Sequence, residues 1–258
     1  MDNKRTPWTN DELLVVFRLY CRTPFGKLHQ RNPDILDISK LLGRSPSAVG
    51  MKACNFASLD PAQRSRKVAG LGNVSKADRD LWERFENDSE GVAAEAEAVY
   101  ARLSGRDLAS DEWDFGITLP LGPTEVTRSV RTRCVQSFFR AAVLTSYEYR
   151  CALTGLAVPE LLNASHIIPW KTDAKRRADP RNGIALNVLY DRAFDRGLIT
   201  FDTSLRVMLS ERLVCACPSA FQSQILCQLK GRQLQLPPRF APDPVAIAYH
   251  RENIFLKE

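Results

Sequence analysis

The sequence predicts an α+β protein: an N-terminal tri-helical, helix-turn-helix-like module, a helical connector, and a C-terminal domain of short strands and helices. Three observations predict it. Apolar residues recur at helical spacing over the first 56 residues, a helix-forming acidic stretch follows, and from about residue 150 short apolar runs alternate with turn residues. The divisions fall at residues 1–75 (a helical module), 76–115 (the acidic helical connector) and 124–258, whose core motif spans 150–200.

In the first module Asp11 and Glu12 open a run in which Leu13, Val16, Phe17 and Tyr20 share one face. Asn32-Pro33 starts a second helix carrying Ile35, Ile38 and Leu42, and Gly43 stops it. Ser45 as N-cap and Pro46 at the first helical position begin a third, with Val49, Ala53 and Phe56 on its stripe. Helix, glycine turn and capped helix make helix-turn-helix geometry, in which Arg44, Ser47, Lys52 and Asn55 are the expected nucleic-acid contacts. The first 56 residues also resemble Myb-like and SANT-like tri-helical domains, with Trp8 opening the first helix. A generic three-helix packing bundle is the alternative.

Residues 57–75 are polar and read as a loop. Ser75 then caps a long helical stretch with Leu81, Phe85, Val92, Val99 and Leu103 near one face. A break follows over Gly116 to Pro123. Thr124 begins another helix, on which Arg128, Arg131, Arg133 and Arg140 alternate with Val130, Phe138, Val143 and Leu144.

The net charge of +6 is unevenly spread. Residues 1–75 hold 12 Lys and Arg against 6 Asp and Glu, residues 76–114 hold 5 against 12, and residues 115–258 hold 19 against 12. Two basic blocks flanking an acidic middle suit two modules that touch a polyanion and a connector that does not. The seven cysteines show no framework spacing and the N-terminus shows no apolar signal region, so the expectation is a reduced cytoplasm. No apolar run approaches membrane-spanning length.

The chemistry concentrates between Cys151 and Phe201. Cys151–Leu153 and Ala164–Ile168 read as short strands, Lys171–Asn182 as a basic loop, and Val188–Arg196 as a helix closed by Gly197. Gly197–Phe201 and Leu205–Leu209 suggest a hairpin, Pro218–Lys230 a helix, and Pro244 the start of a last helix ending near Phe255.

This stretch resembles the HNH nuclease motif, the ββα-metal fold. Ser165-His166-Ile167-Ile168-Pro169 matches the family's Asp-His-Ile-x-Pro with serine for aspartate, and the run from Asn182 to Asp191 matches its asparagine element, with Asp191 where the final histidine normally sits. The positions of a structural zinc in many members fall on Cys151, Thr154, Asn187 and Tyr190, and one thiolate of four argues against zinc. Packing by Tyr190, Phe194 and Trp170 is expected to replace it. The wording ASHIIPW and LYDRAFDRGLITF resembles a zinc-free HNH subgroup of bacterial restriction and defence proteins.

The resemblance implies metal-assisted hydrolysis of DNA, with His166 as general base and Asn182 orienting it. Histidine titrates near neutrality, which suits a base that activates water. Asp191 is the first candidate for holding a divalent ion, Mg²⁺ or Mn²⁺, and Asp195 lies one helical turn later on the same face. Lys171, Arg192 and Arg196 are the candidate phosphate contacts. His29 and His250 lack such company and read as structural or solvent-facing. A homodimer would let two sites cut two strands. The rivals are a DNA-binding regulator with a degenerate motif, and a nuclease whose first module senses something other than DNA.

Overall fold

The computed structural model describes residues 6–66, 74–106, 123–216 and 219–257. Most of the break expected over 116–123, residues 67–73 of the polar stretch, and Cys217 lie outside the described residues, as does the Arg128 side chain. Helices dominate and the strands form two small antiparallel sheets, an α+β composition. The chain divides into two units, Met1–Phe138 and Phe139–Glu258.

The first unit is helical. α1 (Asn10–Arg22) opens with a capping box in which Thr9 Oγ1 accepts from the Glu12 amide and Glu12 accepts from the Thr9 amide. α2 (Pro33–Leu42) starts on the Asn32 cap and stops at Gly43, whose φ of 62° is the left-handed geometry that ends helices. α3 (Pro46–Ala57) begins on the Ser45 cap and buries Val49, Ala53 and Phe56. Phe17 is at the centre of this core, edge-on to Phe56, Trp82 and Phe85.

Two features differ from expectation. The polar stretch after α3 contains a short helix, α4 (Pro61–Ser65), because the Asp60 side chain caps it and Pro61 presets its first turn. The acidic stretch is two helices, α5 (Lys76–Asn87) and α6 (Ser89–Ser104). At Asp88 the side chain accepts from the Gly91 amide, and this local bond starts a new helix where the old one would have continued. Leu81, Phe85, Val92 and Val99 are buried, whereas Leu103 is exposed.

α7 (Pro123–Ser146) contributes its last part, from Phe139, to the second unit. There β1 (Leu162–His166) pairs antiparallel with β2 (Gly183–Asn187), placing Ser165 opposite Ile184 and His166 opposite Gly183. α8 (Val188–Asp195) follows β2 directly, capped by Asn187, whose side chain accepts from the Leu189 and Tyr190 amides. β3 (Ile199–Phe201) and β4 (Val207–Leu209) form the hairpin. α9 (Glu211–Cys215), α10 (Ala220–Leu226) and α11 (Pro244–Asn253) complete the unit.

Cys151–Leu153 is not a strand. The segment is a tight turn closed by the Gly155 amide on the Cys151 carbonyl, and only the Ala152 amide reaches β2, at the Ala185 carbonyl. Its apolar side chains are buried because the turn sits in the core, a burial that sequence alone does not distinguish from a strand. No helix among the described residues is long and apolar enough to cross a membrane.

Candidate functional site

Three elements build the site: the end of β1, the loop from Pro169 to Asn182, and α8. His166 ends β1, half-buried, with its ring stacked on Phe139 at 3.7 Å between centroids and 11° between planes. Trp170 meets the ring edge-on at 5.5 Å. His166 Nε2 lies 3.0 Å from the Arg177 carbonyl oxygen. Burial pushes the imidazole down to about 4, against the raising effects of that carbonyl and of the Asp191 charge.

Asn182 is buried and ties down the chain just after His166. Its Oδ1 accepts from the Ile168 amide at 2.8 Å, its Nδ2 donates to the Ile168 carbonyl at 3.1 Å and the Arg176 carbonyl at 3.4 Å, and its own carbonyl accepts from the Ile167 amide. A primary amide is suited to this because it donates and accepts on one rigid plane. Gly183 is extended, with φ of −133°, and needs its missing side chain for space: a Cβ there would lie 2.4 Å from Val143 Cγ2 and 2.8 Å from Phe139 Cζ.

On α8, Asp191 faces β1 and accepts from Ser165 Oγ on one oxygen and from Asn163 Nδ2, at 2.7 Å, on the other. Asp195 stays exposed as a residue, yet its carboxyl is pushed up to about 6, first by partial desolvation and then by the Asp191 charge, against Arg192 and Arg196. The charge of Asp191 is thus felt by both His166 and Asp195, while Asn182 holds the chain that follows His166. Lys171, Arg192 and Arg196 are exposed in the same unit. Tyr190 and Phe194 are buried beneath α8, and the Tyr190 hydroxyl donates to the Ile225 carbonyl at 2.9 Å.

In the first unit Arg44 and Lys52 do not face outward as expected. Lys52 is 7% exposed and its ammonium sits 2.8 Å from Asp78 Oδ1, while Asn55 donates to the other oxygen of the same carboxylate at 3.1 Å. Arg44 forks onto Glu12 at 2.7 and 2.8 Å and lies over the Trp8 ring. Of the four residues, only Ser47 is exposed. The reason is tertiary: Asp78 and Glu12 are buried or half-buried capping-box acids, and a carboxylate out of water takes the nearest cation.

Sequence reasoning missed Asn163, Phe139 and the closeness of Arg140, whose Nη2 donates to the Leu162 carbonyl at 2.7 Å. The signal for Asn163 was its place two residues before Ser165, on the same face of an alternating strand. Arg131 and Arg133 are exposed.

Two antiparallel strands followed at once by a helix, with a histidine on the first strand and carboxylates on the helix, define a ββα site. Residues 151–202, about a fifth of the chain, match the family model described as HNH endonuclease. Nuclease activity is what that match indicates. A comparison with curated proteins finds no match. Among the described residues no group of three His, Cys, Asp or Glu side chains is arranged as a metal cage.

Proposed function

We propose that the chain is a metal-dependent endonuclease that hydrolyses DNA phosphodiester bonds, in restriction or defence, with His166 as its general base. The observation that carries this reading is the state of that imidazole. A backbone carbonyl only accepts, so the bond to Arg177 puts the proton on Nε2 and leaves the lone pair on Nδ1. Nδ1 has no hydrogen-bond partner among the described residues. An imidazole that desolvation pushes down to about 4 is neutral at physiological pH, so its basic form is fully populated.

Each remaining residue has a defined task. Asn182 holds the backbone that follows His166, so Nδ1 keeps one direction. Phe139 fixes the ring plane and screens it from bulk water. Asp191 and Asp195 supply hard oxygen donors, which fit a Mg²⁺ or Mn²⁺ ion held by one or two carboxylates with water and phosphate oxygens completing its shell. Such an ion supplies charge neutralisation at the phosphate and the leaving oxygen. Nδ1 takes the proton of the attacking water, and Lys171, Arg192 and Arg196 offer contacts to the DNA phosphates. A homodimer would present two sites to the two strands.

The test is conversion of supercoiled plasmid by the wild-type chain and by His166→Ala, with and without Mg²⁺ or Mn²⁺, alongside duplex binding by anisotropy. The expected result is cation-dependent nicking or linearisation that falls by about 10²–10⁴ in the variant, the usual contribution of a general base, with duplex affinity retained. Equal cleavage by the variant, or binding without cleavage in any cation, overturns the reading.

A further inference from the structure

We infer that Asn163, directed by Arg140, is a positioning residue that aligns Asp191 to take a divalent cation, an inference that rests on the reading of Asp191 given above. Residues alternate faces along a strand, so Asn163 and Ser165, two apart on β1, reach the same side and meet the same carboxylate. Asn163 Nδ2 donates to Oδ2 and Ser165 Oγ donates to Oδ1. With one strand donor on each oxygen, the carboxylate plane cannot turn about its own axis without breaking a bond. Each oxygen keeps a further lone pair for another partner.

Arg140 sets which way the amide faces. Its Nη2 is anchored on the Leu162 carbonyl at 2.7 Å and its Nη1 lies 3.5 Å from Asn163 Oδ1. A guanidinium only donates and a carboxylate only accepts. Between them an amide has one favourable orientation, oxygen toward Arg140 and NH₂ toward Asp191. Turning it over would set donor against donor and acceptor against acceptor. The guanidinium, the amide and the carboxylate thus form a directed chain from α7 through β1 to α8. A carboxylate already held in one plane loses less freedom on taking a cation than one that rotates.

The experiment titrates Mn²⁺ alone, without DNA, into the wild-type chain and into Asn163→Ala, Asn163→Asp and Asp191→Asn. Free Mn²⁺ is read by electron paramagnetic resonance and the cation-dependent rise in Tm is read in parallel. Removing the amide should weaken binding about 10-fold, at the lower end of what outer partners of metal ligands contribute. Asn163→Asp should bind Mn²⁺ more tightly than wild type and show a larger Mn²⁺-dependent rise in Tm, because a second carboxylate then stands beside the first. A residue that only packs would give no such reversal of sign.

Asp191→Asn separates the two readings. If it loses Mn²⁺ binding while Asn163→Ala binds as wild type does, the positioning role is overturned and the cation assignment stands. If it binds Mn²⁺ as wild type does, or if the wild-type chain shows no saturable binding below about 10 mM, above the range of weak carboxylate sites, the cation assignment fails and the positioning role with it. Should Asn163→Ala fail to fold, Asn163→Asp decides: an unchanged or smaller Mn²⁺-dependent rise in Tm overturns the inference.

Discussion

Gly183→Ala is the perturbation that most directly tests how the fold holds His166. The backbone at Gly183 is ordinary extended chain, so alanine brings no conformational strain of its own. What it brings is a methyl carbon 2.4 Å from Val143 Cγ2 and 2.8 and 3.1 Å from two carbons of the Phe139 ring. Neither neighbour yields freely: Val143 is fully buried and β-branched on a helix, and Phe139 is 2% exposed with one ring face against His166. Overpacking of this kind costs about 1–3 kcal/mol. For a unit of this size each kcal/mol lowers Tm by roughly 4 °C, so calorimetry should show its transition about 4–12 °C lower. Val143→Ala in the same chain removes the closest contact, and the double variant should be at least about 0.5 kcal/mol more stable than the two single changes added together. As Phe139 is displaced, His166 gains solvent, and its titration by NMR should move up from about 4 toward the ordinary value of 6.5. A Gly183→Ala variant with unchanged Tm and unchanged His166 titration would refute the packing argument.

Two further outcomes follow from buried charge. His166 and His250 are both pushed down to about 4 by burial, so between pH 6.5 and 4 the unfolded chain binds protons that the folded chain refuses. Stability from each is fully present above pH 6.5 and is lost as pH falls toward 4, about 3 kcal/mol apiece; denaturant melts at pH 7 and pH 4.5 measure it, and His250→Gln should remove about 2–3 kcal/mol of the loss between those two pH values. Lys52→Met should destabilise the first unit by about 3–5 kcal/mol, since Asp78 is left as an uncompensated buried charge. Its urea midpoint tests this, and a midpoint equal to wild type would mean the ion pair contributes nothing.

Legibility in the sequence followed the range of the physics. Helix ends are decided within four residues, so Asn32-Pro33, Gly43 and Ser45-Pro46 could be read as the start, stop and start that the structure has. α8 and the β3–β4 hairpin were legible for the same reason, a cap or a glycine beside a short periodic run. Asp60-Pro61 carried the same kind of signal for α4, but five residues are too few for periodicity to support it. The Cys151–Leu153 error came from burial itself: an apolar run is buried in a strand or in a tight turn, and only the Cys151–Gly155 bond tells them apart. Lys52 was read as outward because the acid that claims it is 26 residues away, beyond any local pattern. Asn163 was within reach of sequence reasoning, since alternation put it beside Ser165, yet its partner Asp191 is 28 residues on.

His250 shows why burial alone does not make a base, and it lies in the same unit as His166. Its ring stacks on Phe194 at 3.7 Å and 3°, its Nε2 lies 3.1 Å from the Phe194 carbonyl, and burial pushes it down to about 4, so in stacking, tautomer and charge it duplicates His166. The difference is on the other nitrogen. His250 Nδ1 is 2.9 Å from Thr200 Oγ1, and because Nε2 carries the proton, the hydroxyl must donate to that lone pair. Both nitrogens of His250 are thereby used by the fold, leaving nothing for a substrate. His166 keeps the same carbonyl bond and the same aromatic support but leaves Nδ1 without a partner among the described residues. That leaves the Nδ1 lone pair of His166 available to a group from outside the fold, which is what the proposed base needs. The fold thus contains its own comparison: two imidazoles with the same ring stacking and the same kind of carbonyl bond, His250 buried and closed by a threonine, His166 half-buried with Nδ1 left without a partner among the described residues.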